Sequence, residues 1–290
     1  MKSTIENFSA SKYADLSLRL PTLTAQRAIA DYLDTETARI DALIAKKRQM
    51  ATLIADRLLA QARVTVTGKG GGPSWEPGPH WLGPVPTEWE PQKIAWRKVT
   101  ASGTTPPAGD ARYYAESDGF PWVTTSELRE TVITSASRAV TKAALEEFSA
   151  LKIYPVGSVL VAMYGATVGR LGVLGIRAAS NQACCAIYGG RDLDQGFLYW
   201  WLRAHRDDLV DMAYGSGQPN ISQELVRGLR VPAPPIAIQQ EIARGLDAAE
   251  DEAARIIRAL EDQTDLLVEH RQALITAAVT GELEIPGVAA

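Results

Sequence analysis

Apolar residues recur at alternating steps of three and four along two stretches of the chain. In the first, positions 29, 33, 36, 40, 43, 47, 50 and 54 read Ile, Leu, Glu, Ile, Leu, Lys, Met and Ile. In the second, positions 242, 246, 249, 253, 256, 260, 263 and 267 read Ile, Leu, Ala, Ala, Ile, Leu, Gln and Leu. This spacing keeps a narrow stripe on one side of a helix and is the seam of a coiled coil. It predicts that Ile29, Leu33, Ile40, Leu43, Lys47 and Ile54 face Ile242, Leu246, Ile256, Leu260 and Leu267. Each stretch is entered through prolines, at Pro21 and at Pro232, Pro234 and Pro235, and each stops at Thr-Gly, Thr67-Gly68 and Thr280-Gly281. Proline cannot continue a preceding helix, and glycine is the usual residue just past a helix end.

The two stretches are copies. Gln26-Arg-Ala-Ile-Ala-Asp-Tyr-Leu-Asp34 resembles Gln239-Gln-Glu-Ile-Ala-Arg-Gly-Leu-Asp247, an offset of 213 residues from Gln26 to Gln239. Val66-Thr-Gly68 matches Val279-Thr-Gly281 at the same offset, and Asn7-Phe-Ser9 resembles Asn220-Ile-Ser222. No gap is needed between residues 7 and 68. Their charges differ. The first copy carries Lys46-Lys47-Arg48, the second Glu250-Asp251-Glu252 and Glu261-Asp262. Antiparallel pairing of the copies would set basic against acidic stretches and favour pairing with each other over self-pairing. The plainer reading is two solvated faces. Glu36 and Lys47, polar on the seam, are alternatively a contact with another subunit.

Between the copies the pattern changes. Gly68-Lys-Gly-Gly-Gly-Pro73 lacks the GxxxxGK[ST] spacing of a phosphate loop and reads as a linker. Beyond it, Trp122–Thr125, Ser158–Met163, Leu171–Leu174 and Ala183–Tyr188 read as short strands. Phe197–Ala213 reads as a helix, with a further one at Lys142–Lys152. The fold class is therefore α+β: one mixed domain flanked by two long helices that form an antiparallel coiled coil.

Composition narrows the function. The chain is 46% hydrophobic and 22% charged, with formal net charge −4 and a pI near 5.5. That excludes coating of nucleic acid by bulk charge, but not a local basic surface. No apolar run approaches a membrane span and Met1–Ala10 lacks a signal-peptide core, so a cytoplasmic location is expected. Cys184 and Cys185 are neighbours in a strand and point to opposite faces, which reads as two buried free thiols. Catalysis finds no pattern. His80, His205 and His270 are isolated, no zinc spacing occurs, and Pro234-Pro235 sits between Ala233 and Ile236 rather than in the [DN]-P-P-[YF] context of a methyltransferase. Neither a metal nor another cofactor is expected.

One ordered string of motifs carries a resemblance. It runs Trp81-Leu-Gly-Pro-Val-Pro-Thr-Glu-Trp89, Gly103-Thr-Thr-Pro106, Phe120-Pro-Trp-Val123, Tyr164-Gly-Ala-Thr-Val-Gly169, Asn181-Gln-Ala183, Gly217-Gln-Pro-Asn-Ile-Ser222 and Leu229-Arg-Val-Pro-Ala-Pro-Pro235. Each is weak alone; in this order they resemble the specificity subunit of type I restriction-modification systems, over nearly the whole chain. The resemblance implies a non-catalytic, sequence-specific reader of double-stranded DNA. Methyltransferase subunits would dock on its helices, and a motor-nuclease subunit would join through the complex. It implies a recognition-domain tail with the first long helix over 1–68, a linker at 69–74, and a target-recognition domain over 75–232. A second long helix follows over 233–281, with a tail at 282–290. The family plan alternates two recognition domains with two helices, whereas only the tail of a first domain precedes the first helix here. A homodimer or a second specificity fragment would supply another domain. The alternative is a truncated, interference or exchange subunit that binds methyltransferase without directing it.

Reading bases requires donors and acceptors on exposed loops and cations for phosphate. The glycine-marked loops offer Thr104, Thr105, Arg112 and Tyr113; Thr124, Thr125 and Ser126; Tyr164, Thr167 and Arg170; and Ser216, Gln218 and Asn220. Each also fits a satisfied turn residue. Trp89, Trp96, Trp122, Trp200 and Trp201 read as core rather than as stacking platforms.

Overall fold

A computed structural model describes residues 14, 20–68, 74–75, 85–116, 118–213, 220–286 and 288. Two compact units emerge: one holds the described residues up to Leu53 and from Arg255 onward, the other spans Ile54–Ala254. Both long helices form. Helix α1 covers Leu23–Val66 and is 44 residues long; the second, named α3 below, covers Ile236–Thr280 and is 45 residues long.

The helices pair antiparallel. Within the first unit Lys47 Nζ donates to Gln263 Oε1 (2.5 Å), and Asp41 pairs with Arg271 (3.0 Å), so α1 descends in number as its partner ascends. The seam sits one position away from the expected one at alternate turns. The less exposed residues run Ile40, Ile44, Lys47, Ala51, Ile54 and Leu58 on α1. On the partner they run Ala253, Ile257, Leu260, Thr264, Leu267 and Arg271. Leu43, Met50 and Ile256 are exposed instead. Apolar residues stand at both 43 and 44 and at both 256 and 257, so periodicity alone admits either choice. Thr264 escapes a hydrophobic count because its hydroxyl is satisfied by its own helix, donating to Leu260 O (2.8 Å).

Among the described residues the second unit contains two larger sheets, beside two two-stranded pairings, Ser74–Trp75 with Val85–Pro86 and Gln92–Lys93 with Arg230–Val231. In chain order the strands of the two larger sheets are β1 (Val99–Ser102), β2 (Tyr114–Ala115), β3 (Phe120–Val123), β4 (Thr131–Ile133), β5 (Ala139–Val140), β6 (Val159–Ala162), β7 (Leu171–Leu174), β8 (Ala179–Ser180) and β9 (Cys184–Tyr188). A five-stranded sheet has the order β1-β9-β6-β7-β4, antiparallel except for β7 beside β4. A four-stranded sheet has the order β8-β3-β5-β2, with β8 parallel to β3.

Strand alternation separates the cores. Val159, Val161, Cys185 and Ile187 face a core shared with Leu58, Ala62 and Val66 of α1, Phe197 to Leu202, and Ala243 and Leu246. Leu160, Ala162, Cys184 and Ala186 face a second core with Val123, Leu128 and Tyr154. Trp122, one residue from Val123, joins a third with Tyr113, Val140 and Leu151. Both cysteines are free and fully buried, and burial pushes the Cys185 thiol up to about 12 and Cys184 higher still.

The segment expected as one helix over Phe197–Ala213 is two: helix α2 (Gln195–Ala204) and a short helix at Arg206–Asp211. His205 breaks it with φ −111 and ψ 21, its ring Nδ1 lying 2.9 Å from Trp201 O. Asp194 caps α2, accepting from Phe197 N (3.0 Å). The helix expected at Lys142–Lys152 stops at Glu147.

Candidate DNA-reading face

Loops distant in sequence meet at one place in the second unit. Thr104 N donates to Ser180 O (3.1 Å), which sets the Thr104–Pro106 loop beside the turn after β8. Thr105 Oγ1 bonds Gln182 Oε1, and Tyr164 OH donates to Gln182 O (2.5 Å). Tyr164 also bridges to Asn220, next to Ile221 N, which donates to Met163 O (2.7 Å). Asn181 N donates to Val123 O (3.0 Å), so the turn that begins at Thr124 starts beside the same loop. The structure thus gathers Thr104, Thr105, Tyr164 and Asn220, with Thr124 adjacent, around Gln182.

Two aromatic residues fix the first loop from below. Trp122 Nε1 donates to Thr104 O (3.1 Å) and Tyr114 OH donates to Pro106 O (2.6 Å). A buried polar group needs a partner, and here the partner is a loop carbonyl. Gln223 braces the floor of the cluster. Its Oε1 accepts from Ser102 Oγ (2.6 Å), and its Nε2 donates to Thr100 O (3.2 Å).

Other candidates are engaged locally. Thr124 N donates to Glu127 Oε2 (2.7 Å), Ser137 N donates to Glu127 Oε1 (2.7 Å), and the Thr124 and Ser126 hydroxyls bond each other (2.8 Å). Thr125 lies within that turn. Arg112 clasps Asp110 through Nε (3.0 Å) and a terminal nitrogen (2.6 Å). That side-chain bond, with the backbone bond from Arg112 N, holds the Asp110 carboxyl below its usual range. Tyr113 is buried in the third core, its ring edge-on to Phe148 at 5.1 Å.

Arg170 is not part of the cluster. It pairs with Glu130 (3.1 Å), whose backbone O accepts from Tyr199 OH of α2 (2.8 Å). Thr167 lies half-buried in the turn before it. Ser216 and Gln218 lie outside the described residues.

Sequence reasoning passed over Gln182, although it stands in the Asn181-Gln-Ala motif. Its role depends on Thr105 and Tyr164, and no spacing rule links those positions. The tie between this domain and the helices was equally invisible. Trp200 Nε1 donates to Asp247 Oδ1 (2.7 Å), Arg203 pairs with Glu250 (2.5 Å), and Arg63 pairs with Asp208 (2.7 Å).

Comparison with known proteins agrees with this architecture. The type I restriction modification DNA specificity domain matches residues 98–263. The specificity subunit of the type I restriction enzyme MjaIX from Methanocaldococcus jannaschii is 26% identical over 175 residues, 59% of this chain and 40% of that protein. The chain therefore spans about two-fifths of that relative's length. The crystal structure of the HsdS subunit from Thermoanaerobacter tengcongensis superposes with TM-score 0.57 at 18% identity, covering 98% of this chain and 65% of that one. A structure describing complex assembly and conformational transition of the type I R-M system contains a chain with TM-score 0.61 at 20% identity, covering 87% of this chain and 60% of that one. At these identities the superpositions speak for the fold, and the domain match decides the membership: the chain belongs to the type I restriction-modification DNA specificity family.

Proposed function

We propose that the chain is a non-catalytic DNA-recognition subunit. Its domain at 75–232 reads one half-site, and its helices dock methyltransferase subunits of a type I complex in the cytoplasm. The observation that carries this reading is the convergence of Thr104, Thr105, Tyr164, Gln182 and Asn220. Four segments bring side-chain donors and acceptors to one rim, where base edges are distinguished by such groups. The loop carbonyls behind them are already satisfied, so the rim is preorganised rather than collapsed.

Docking on the helices is supported by apolar side chains that the seam leaves out. Leu43, Met50 and Leu53 on α1 and Ile256, Leu266 and Val268 on α3 are all exposed. Single exposed apolar residues are ordinary, but several on one helix pair suit a partner surface. The motor-nuclease subunit would join through that assembly.

The test combines the purified chain, its methyltransferase and a randomised duplex pool. Enrichment of one sequence containing a defined half-site is expected. Failure of the complex to enrich any sequence overturns the reading, and turnover of DNA by the isolated chain overturns its non-catalytic part.

A further inference from the structure

Arg138 immediately precedes β5 and is exposed. Trp122 N donates to Arg138 O (2.9 Å), which sets the arginine beside β3. Its guanidinium carbon lies 4.6 Å from the Tyr114 ring centroid and 5.3 Å from that of Trp122. The two rings stand edge to face, 5.9 Å apart at 72°. These are the rings whose polar ends hold the Thr104–Pro106 loop. One aromatic pair therefore anchors that loop and carries a cation beside it.

Charge bookkeeping separates this arginine from the two that sequence patterns single out. Arg112 is neutralised by Asp110 and Arg170 by Glu130. Arg138 forms no ion pair with a carboxylate among the described residues. Its contacts are the two π faces, which attract the cation yet leave its N–H donors unspent. Stacking also restricts the side chain before any ligand arrives, so less rotamer freedom is lost when it binds.

From this geometry we infer that Arg138 is a DNA contact, donating from its planar fork to a pair of acceptors on the duplex. The ligand chemistry is a guanine O6/N7 edge or a backbone phosphate, both of which accept two parallel N–H bonds. The inference rests on the DNA-reading function proposed above and adds a residue outside the glycine-marked loops.

The experiment uses the full chain in complex with its methyltransferase and the duplex that the wild type enriches. Affinity is measured at several salt concentrations for wild type, R138A and R138K, with thermal unfolding run alongside. R138A is expected to unfold like wild type and to bind about tenfold to hundredfold more weakly. If the acceptor is guanine, preference relaxes at one base pair and lysine does not restore it. If it is phosphate, all sequences weaken together, the salt slope falls by about one and lysine restores much of the binding. Wild-type affinity, preference and salt slope in R138A overturn the assignment while leaving the DNA-reading function standing. If R138A fails to fold, R138Q takes its place, because it keeps the apolar stem and loses the charge, and unchanged affinity, preference and salt slope in that variant overturn the assignment while a loss supports it. No enrichment by the wild type overturns both.

Discussion

The repeat lets one chain be compared with itself. At the first join, the end of α1 meets the start of α3, within the second unit. At the second join, the start of α1 lies with the end of α3, within the first. Local bonding is the same in both. Gln239 Nε2 donates to Pro234 O (2.7 Å), and Gln26 Nε2 donates to Pro21 O (2.8 Å). Thr67 Oγ1 donates to Arg63 O (2.7 Å), and Thr280 Oγ1 donates to Thr276 O (2.9 Å). The surroundings are opposite. Val66 is 0% exposed and its counterpart Val279 is 69% exposed. Gln239 is buried and also accepts from Asp194 N (2.7 Å), whereas Gln26 is exposed. Asp247 holds Trp200, and its counterpart Asp34 is exposed. Local sequence builds both helix ends, and packing within the second unit buries Val66 and Gln239 at the first join.

The sharpest way to break this comparison is a matched charge. Val66→Asp would bury an unpaired carboxylate, with a cost on the order of 3–5 kcal/mol. Val279→Asp stays in water and costs under about 1 kcal/mol, mostly from a negative charge near a helix C-terminus. Thermal unfolding measures both, and thiol labelling reports whether the second unit, which holds both cysteines, opens. Only thiolate reacts, and burial holds the Cys185 thiol up near 12, so both cysteines should resist labelling at pH 8 while the second unit is intact. Labelling should accelerate in the Val66 variant and not in the Val279 variant. Equal responses would show that the two joins are equivalent after all.

The second pair removes hydrogen bonds rather than adding charge. Gln239→Ala leaves Asp194 N–H without its acceptor and deletes donations to Pro234 O and Asp192 O (3.3 Å). Unsatisfied buried groups of this kind cost about 1–3 kcal/mol. Asp194 caps α2, so its amide exchange and that of Phe197 should rise with the loss. Gln26→Ala gives up one bond in solvent and should fall within about 0.5 kcal/mol of wild type. A comparable loss in both would place the glutamine's value in its own turn instead of in the domain contact.

These contrasts explain what the sequence could disclose. Long helices were legible because a periodic seam and two end signals agree over more than forty residues. The seam's finer register was not, since Leu43-Ile44 and Ile256-Ile257 present apolar side chains at both alternatives. Strands of four or five buried residues, such as Cys184–Tyr188, stood out. Two-residue strands such as Tyr114–Ala115 carry too little pattern and exist because β5 pairs with them. In the candidate site, Thr104, Thr105, Tyr164 and Asn220 were legible as polar residues beside turn formers. Gln182 and Arg138 were not, because their positions are set by Thr105, Tyr164, Tyr114 and Trp122 across the fold. Arg112 had its partner two residues away, and that local pairing outranked the prospect of a free cation.

The smallest expected difference lies in the glycines that end the helices. Gly68 has φ +66 and Gly281 has φ +80, so alanine at either position adopts a left-handed backbone at a cost of about 1–2 kcal/mol. Beyond that common term, the surroundings decide. A Cβ on Gly68 would lie 2.6 Å from Pro86 Cγ and 2.8 Å from Cδ, closer than packed carbons approach. One on Gly281 would meet nothing within 4 Å. Pro86 is part of a ring in a short paired strand, so relief requires that strand to shift, which adds about 1–2 kcal/mol of overpacking at Gly68 alone. Gly68→Ala should therefore lower the unfolding midpoint further than Gly281→Ala. A gap near zero would mean that the Val85–Pro86 strand yields freely, and that the first join is held by its helix contacts without it.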